Sequence, residues 1–226
     1  MLSRFQDRYQ AGRVLAQHLE AYARRPDVLV LALPRGGVPV GFEVGRALQA
    51  PLDVFLVRKL GVPGHEELAM GAIAAGGARL INTDLVQALG ISHEALESVI
   101  RNEERELARR ERLYRRNSAR LAVADRSIIL VDDGLATGST MRVAVTALRE
   151  QRPLRIVVGV PISAPSACEE LAADVDDIVC AVTPEPFHSV GLWYQDFSQT
   201  TDEEVRELLE IAAREQPERE LAASRS

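Results

Sequence analysis

Asp132 and Asp133 stand side by side at the end of an apolar run, Ile128-Ile129-Leu130-Val131, and are followed by Gly134-Leu135-Ala136-Thr137-Gly138-Ser139-Thr140. Ionised carboxylates only accept hydrogen bonds, so neighbouring acids suit the vicinal hydroxyls of a sugar. Thr137, Ser139 and Thr140 add hydroxyl donors, and Gly134 and Gly138 let a backbone approach closely. Residues 139–148 carry apolar side chains at spacings of three and four, which predicts a helix starting at the loop. A helix start offers unpaired N–H groups and a positive dipole end, so a phosphate fits there. The segment therefore reads as a sugar-phosphate site at the carboxyl end of a buried parallel strand. Paired acids would repel a bare triphosphate, and no Lys follows Gly138, which argues against a triphosphate-binding loop. The bland alternative is a capped helix whose aspartates satisfy loop amides.

A second anion site is predicted at Leu33-Pro34-Arg35-Gly36-Gly37, after an apolar strand at 28–33 and before a helix at 39–50. Paired glycines reach backbone conformations closed to other residues, and adjacent amides form an anion nest. Arg58 and Lys59 put two cations at the end of an expected strand over 52–57. Taken alone, Gly-Gly is a tight turn and the two cations are solvated residues.

The elements that must position these groups alternate. An amphipathic helix at 7–24 leads to the strand at 28–33, and further strands are predicted at 155–160 and 177–182 around a helix near 166–173. This rhythm implies α/β architecture with a parallel sheet core flanked by helices. Residues 70–82 break it with two short strands around Gly76-Gly77, a hairpin able to serve as a mobile flap. Residues 92–116 read as a long charged helix, whose Arg-rich end is ordinarily a solvated face. A last helix is predicted at 202–214, and residues 215–226 read as a charged, disordered tail.

With 226 residues, one domain over 1–214 with an appended lobe is expected. A net charge of −6 argues against nucleic acid and acidic membrane surfaces. The polar amino terminus predicts no secretory leader, and no apolar stretch suits a membrane span. Cys168 and Cys180 match no metal-ligand spacing, so neither a disulfide framework nor a zinc site is expected, and a reducing, cytoplasmic setting fits.

All thirteen positions from Ile128 to Thr140 resemble the phosphoribosyl pyrophosphate signature of the type I phosphoribosyltransferases: four apolar residues, two acids, then Thr-Gly-x-Thr. The Arg-Gly-Gly loop, Val57-Arg58-Lys59-Leu60-Gly61 and Val190-Gly191-Leu192-Trp193-Tyr194 extend the resemblance over nearly the whole chain, toward a bacterial branch of the family. The resemblance implies the type I fold with a flexible β-hairpin flap at about 60–82 and a small hood at about 183–200. It implies ribose transfer from phosphoribosyl pyrophosphate to a nitrogenous base, with pyrophosphate released and Mg²⁺ held through substrate oxygens rather than a protein cage.

On that reading Asp132, Asp133 and Lys59 are catalytic. Gly134, Ala136, Thr137, Gly138, Ser139 and Thr140 bind the 5-phosphate, and Arg35, Gly36, Gly37 and Arg58 bind pyrophosphate. Phe187, Trp193 and Tyr194 offer rings for base stacking, or else pack the last helix. His65, Glu66 and Glu67 at the flap base read as exposed loop residues rather than a general base. Ala136 stands where 6-oxopurine enzymes typically carry Asp, which weakens a guanine-hypoxanthine assignment. Adenine enzymes can carry Ala there, but the long helix after residue 92 does not resemble theirs. The acceptor base and any homo-oligomer stay open. The rivals are a non-catalytic sensor of phosphoribosyl pyrophosphate or a nucleotide, and an interaction protein acting through the charged helix.

Overall fold

The computed structural model describes residues 4–115 and 122–223; the side chains of Glu67 and of 216–223, and residue 116 at the end of the expected charged helix, lie outside that description. Five parallel strands form the core sheet in the order β2-β1-β6-β7-β8, from β1 (Val28–Ala32), β2 (Leu52–Val54), β6 (Ser127–Val131), β7 (Arg155–Ile162) and β8 (Asp177–Val182). Every residue of β1 and β6 is buried, because helices cover both faces; this is why their sequences run apolar without alternation. Helices α1 (Arg8–His18), α2 (Gly37–Leu48), α5 (Ser139–Arg149) and α6 (Pro165–Ala172) connect or flank these strands. The parallel α/β architecture is as expected.

Boundaries differ where local chemistry intervenes. Helix α1 stops at His18, and a short 3-10 turn at Glu20–Tyr22 takes over before Arg24 adopts a left-handed conformation. The strand expected over 52–57 ends at Val54. Val57 opens a separate antiparallel sheet, β3 (Val57–Val62), β4 (His65–Ala74) and β5 (Arg79–Ile81). The projecting ribbon thus has three strands rather than two. Its extra turn lies at Pro63-Gly64, where Gly64 has φ of +79°. Arg58 and Lys59 therefore sit inside β3, not at the end of a parallel strand.

Helix α3 (Thr83–Ala88) and the long α4 (His93–Tyr114) follow the ribbon. Helix α7 (Asp202–Ala223) runs past the expected boundary at Arg214, so the backbone to Ala223 is helical instead of an irregular tail; apart from Pro217 these residues favour helix. Cys168 of α6 and Cys180 of β8 form a disulfide, which corrects the expectation that the chain has none. The helix-to-strand connection folds the chain back so that positions 12 apart in sequence come within 6.7 Å between Cα atoms. With the pair joined, cysteine usage no longer argues for a reducing compartment. No helix among the described residues is long and apolar enough to cross a membrane.

Candidate functional site

Two loops meet at the carboxyl edge of the central strands. Ala32 pairs with Val131, so the chain leaves β1 and β6 at the same level, and the Leu33 N–H donates to the Val131 carbonyl at 2.9 Å. The Arg-Gly-Gly loop and the acid loop consequently lie against each other. A Cβ at Gly36 would stand 2.1 Å from Asp133 Oδ2, and one at Gly37 would stand 2.8 Å from the Val131 carbonyl and 3.1 Å from Asp132 Oδ1. The expected reason for these glycines needs correcting: Gly36 has ordinary helical dihedrals, φ −59° and ψ −33°. Close approach of the acids, not a special backbone conformation, demands glycine here. Gly138 is different. Its φ of +68° at the start of α5 is the left-handed conformation that favours glycine.

The two acids are not equivalent. Asp132 Oδ1 accepts from the Asp133 N–H at 2.8 Å, while Asp133 Oδ2 accepts from Arg8 Nε at the same distance. Burial pushes the Asp132 carboxyl well above the usual carboxylate range, and the neighbouring Asp133 charge pushes the same way. Burial also raises Asp133, against the opposing hydrogen bond and charge of Arg8. The Tyr194 hydroxyl donates to the Asp133 carbonyl at 2.6 Å, tying the hood to the acid loop.

The remainder of the small-residue loop opens α5. Thr137, Ser139 and Thr140 stand at its amino end, where the Ser139 N–H donates to Thr137 Oγ1 at 3.5 Å. Gly134 and Leu135 lie beneath the hood: a Cβ at Gly134 would stand 2.6 Å from Val190, and Leu135 is bridged to Ser163. Ala136 is exposed. Lys59 reaches this loop from β3, its ammonium donating to Ser139 Oγ at 2.9 Å, so in this structure it adjoins the helix start rather than the Arg-Gly-Gly loop.

The other cations are partly engaged. Arg35 is about one-third exposed, with Nη1 3.9 Å from Asp202, which also accepts the Tyr114 hydroxyl at 2.6 Å. Arg58 pairs with Glu103 of α4 at 2.6 Å. Arg58 also lines a cavity of about 40 Å³ together with Pro34, Arg110 and Thr140, beside both loops.

The hood draws on both terminal regions. The Phe5 N–H donates to the Trp193 carbonyl and the Gln195 N–H to the Phe5 carbonyl, each at 2.8 Å. Of the three rings proposed for stacking, Tyr194 is 3% exposed and enclosed by Phe5 and Phe197, so its ring has no face for a ligand. Phe187 and Trp193 are both half-buried and pack against the core. Ring burial cannot be read from ring spacing along the chain.

Arg8, Arg110 and Asp202 escaped the sequence reading. Arg8 and Asp133 lie 125 positions apart, and Arg8 is one of many arginines on amphipathic helices. The one local signal was Asp7, which caps α1 and fixes Arg8 at its first turn. Among the described residues no group of three or more His, Cys, Asp and Glu side chains stands together to enclose a metal ion. The acid pair does supply hard oxygen donors of the kind Mg²⁺ takes.

Residues 4–192 match the family model described as phosphoribosyl transferase domain. Two Mycobacterium tuberculosis proteins, named "Putative phosphoribosyl transferase MT0597" and "Putative phosphoribosyl transferase Rv0571c", are each 44% identical over 211 residues, 93% of this chain. The chain spans about half the length of these curated relatives, 47%. The crystal structure of TT1426 from Thermus thermophilus superposes with a TM-score of 0.82 at 39% identity, covering 91% of this chain and 97% of that one.

Proposed function

The chain belongs to the phosphoribosyl transferase domain family, and from that premise we propose that it transfers ribose 5-phosphate from phosphoribosyl pyrophosphate to a nitrogenous base, releasing pyrophosphate. The observation that carries this reading is the fit of Gly36 and Gly37 against Asp133 and Asp132, which sets an anion loop directly beside a sugar-binding acid pair. In this reading Asp132 and Asp133 accept the ribose hydroxyls. Thr137, Ser139, Thr140 and the first amides of α5 hold the 5-phosphate, whose charge the helix dipole favours. Arg35 and the adjacent backbone hold the pyrophosphate, with Arg58 and Arg110 at its margin.

The acceptor nitrogen gives its electron pair to ribose C1 while the pair of the C1–O bond departs with pyrophosphate. The nitrogen proton passes to solvent. Positive charge grows on the sugar meanwhile, and ionised carboxylates beside it are favourable. Sugar hydroxyls donating to the buried acids stabilise their charged forms, offsetting the burial that raises them. Lys59 and Arg35 offset charge on the phosphate oxygens. Asp132 and Asp133 would offer carboxylate oxygens to substrate-borne Mg²⁺, which when bound would supply charge neutralisation for the leaving anion. Closure of the β3–β5 ribbon would exclude water, which otherwise competes for ribose C1. Phe187 and Trp193, both half-buried, are the rings left to contact a base; a nucleobase acceptor fits such rings.

Pyrophosphate release measured over a panel of bases with Mg²⁺ and phosphoribosyl pyrophosphate tests the proposal. Turnover with at least one base is expected, and Asp132→Asn with Asp133→Asn should reduce it by more than about 1000-fold, the scale lost when charge stabilisation is removed from a site. Binding without turnover on any base would make the protein a sensor instead.

A further inference from the structure

Arg8 is the first residue of α1, and the phosphoribosyl reading gives it no task. Its side chain is nonetheless only 11% exposed, in a chain whose arginines are mostly solvated. Removing a guanidinium from water is unfavourable unless its donors are satisfied. Here three contacts from two segments satisfy it. Nε donates to Asp133 Oδ2 at 2.8 Å, Nη1 donates to the Ser198 carbonyl at 2.7 Å, and the guanidinium carbon lies 4.0 Å from the centre of the Phe197 ring. The fourth side of this arrangement is Gly36, whose missing Cβ would meet Asp133 Oδ2 at 2.1 Å and Arg8 Nε at 3.3 Å. The anion loop has left open the volume that the Arg8–Asp133 pair fills.

The consequence is a division of labour within the acid pair. Asp133 spends Oδ2 on Arg8, which leaves Oδ1 as its oxygen for a ligand. Asp132 feels Arg8 only through its charge. Its partner is the Asp133 amide. The same guanidinium is held by residues 197 and 198, so order in the hood and the rotamer of Asp133 depend on one side chain.

Resting on the phosphoribosyl reading above, we propose that Arg8 is the positioning residue of the acid pair: it fixes Asp133 for the sugar hydroxyls and transmits the placement of the hood segment at Phe197 and Ser198 to the sugar site. A lysine at this position would keep the charge but lose both the second donor and the stacking plane.

Calorimetric titration of the full chain with Mg²⁺ and phosphoribosyl pyrophosphate tests this in the wild type, Arg8→Gln, Arg8→Lys, Phe197→Leu, Asp133→Asn and Arg8→Gln/Asp133→Asn. Arg8→Gln should raise Kd at least tenfold, with Arg8→Lys and Phe197→Leu between it and the wild type. In the Asp133→Asn background Arg8→Gln should add less than twofold, because the residue acts through that carboxylate. A readout without ligand accompanies this: ¹³C titration of the aspartate carboxyls, in which Arg8→Gln raises the Asp133 midpoint. The groups facing Asp133 are Arg8 from α1, Asp132 from its own loop and the Tyr194 hydroxyl from the hood, and only the first is changed.

Arg8→Gln binding within twofold of wild type while Asp133→Asn binds weakly overturns the proposal alone. So does an Arg8→Gln loss equally large in the Asp133→Asn background, which marks a merely structural residue. A wild type that takes up no ligand overturns the phosphoribosyl reading, and this proposal with it. Should Arg8→Gln fail to fold, Arg8→Lys and Phe197→Leu apply the same criterion, each with at least a threefold loss that disappears when Asp133 is Asn.

Discussion

On the phosphoribosyl reading, the sugar-facing acids and the phosphate-facing cations of the candidate site are built to different standards. At the sugar end, Asp133 is gripped by Arg8, its carbonyl accepts from Tyr194, and Gly36 closes against it, so four parts of the chain agree on one arrangement. Among the cations, Arg35 lies 3.9 Å from Asp202 beside the Arg-Gly-Gly loop, and Lys59 bonds to an exposed serine at the start of α5. A pre-built acid pocket costs nothing to reorganise when a ligand arrives, whereas loosely held cations gain their definition from the anion they bind. On that reading, rigidity sits where the sugar is fixed and freedom where phosphate groups are bound.

Removing Lys59 should expose this difference most strongly. Lys59→Ala is expected to lower the rate of pyrophosphate release about 100-fold, the scale for one lost charge-stabilising donor, with Tm almost unchanged. The converse case is Gly36→Ala. Its Cβ has no room beside a carboxylate that Arg8 prevents from swinging away, so it should destabilise the fold by about 1–3 kcal/mol, seen as a drop in Tm. Equal thermal losses in the two variants would erase the distinction between the ends.

The smallest effect concerns Asp132 and has the opposite sign. A carboxyl whose folded pKa is raised binds its proton more tightly in the native state, so its contribution to stability falls as pH rises from the unfolded value through the folded one. Asp132→Asn removes that penalty. Its Tm should exceed the wild type's by a few degrees above neutral pH, on a scale of about 2–4 °C per kcal/mol, and the gain should vanish below about pH 4. A gain independent of pH would show that the buried charge is not its cause.

The rigid end was also the legible end. Ile128 to Thr140 holds strand, acids and helix start in one contiguous stretch, so local periodicity and residue chemistry suffice to find it. The parallel core was legible for the same reason. The ribbon was misread because the stretch from Leu52 to Val57 is apolar but for Asp53: Phe55 and Leu56 are buried where the chain leaves one sheet for another, and hydropathy does not register the change. The Arg8 pairing and the Cys168–Cys180 bond join partners whose proximity is created by tertiary folding. The glycines were recognised as necessary, but the reason lay across the site in the carboxylates they face.

Arg58 of β3 is bonded to Glu103 and Arg79 of β5 to Glu104, both midway along α4, while Arg115, just past the carboxyl end of that helix, is moored to β2 by a two-pronged contact with Asp53, at 3.1 Å for each prong. Ribbon and helix are coupled like an arm on a pivot. A swing of the ribbon tip toward the loops either carries the near half of α4 with it or detaches two partly exposed ionic links, which dissolved electrolyte weakens far more than it does the sheltered anchor at Asp53.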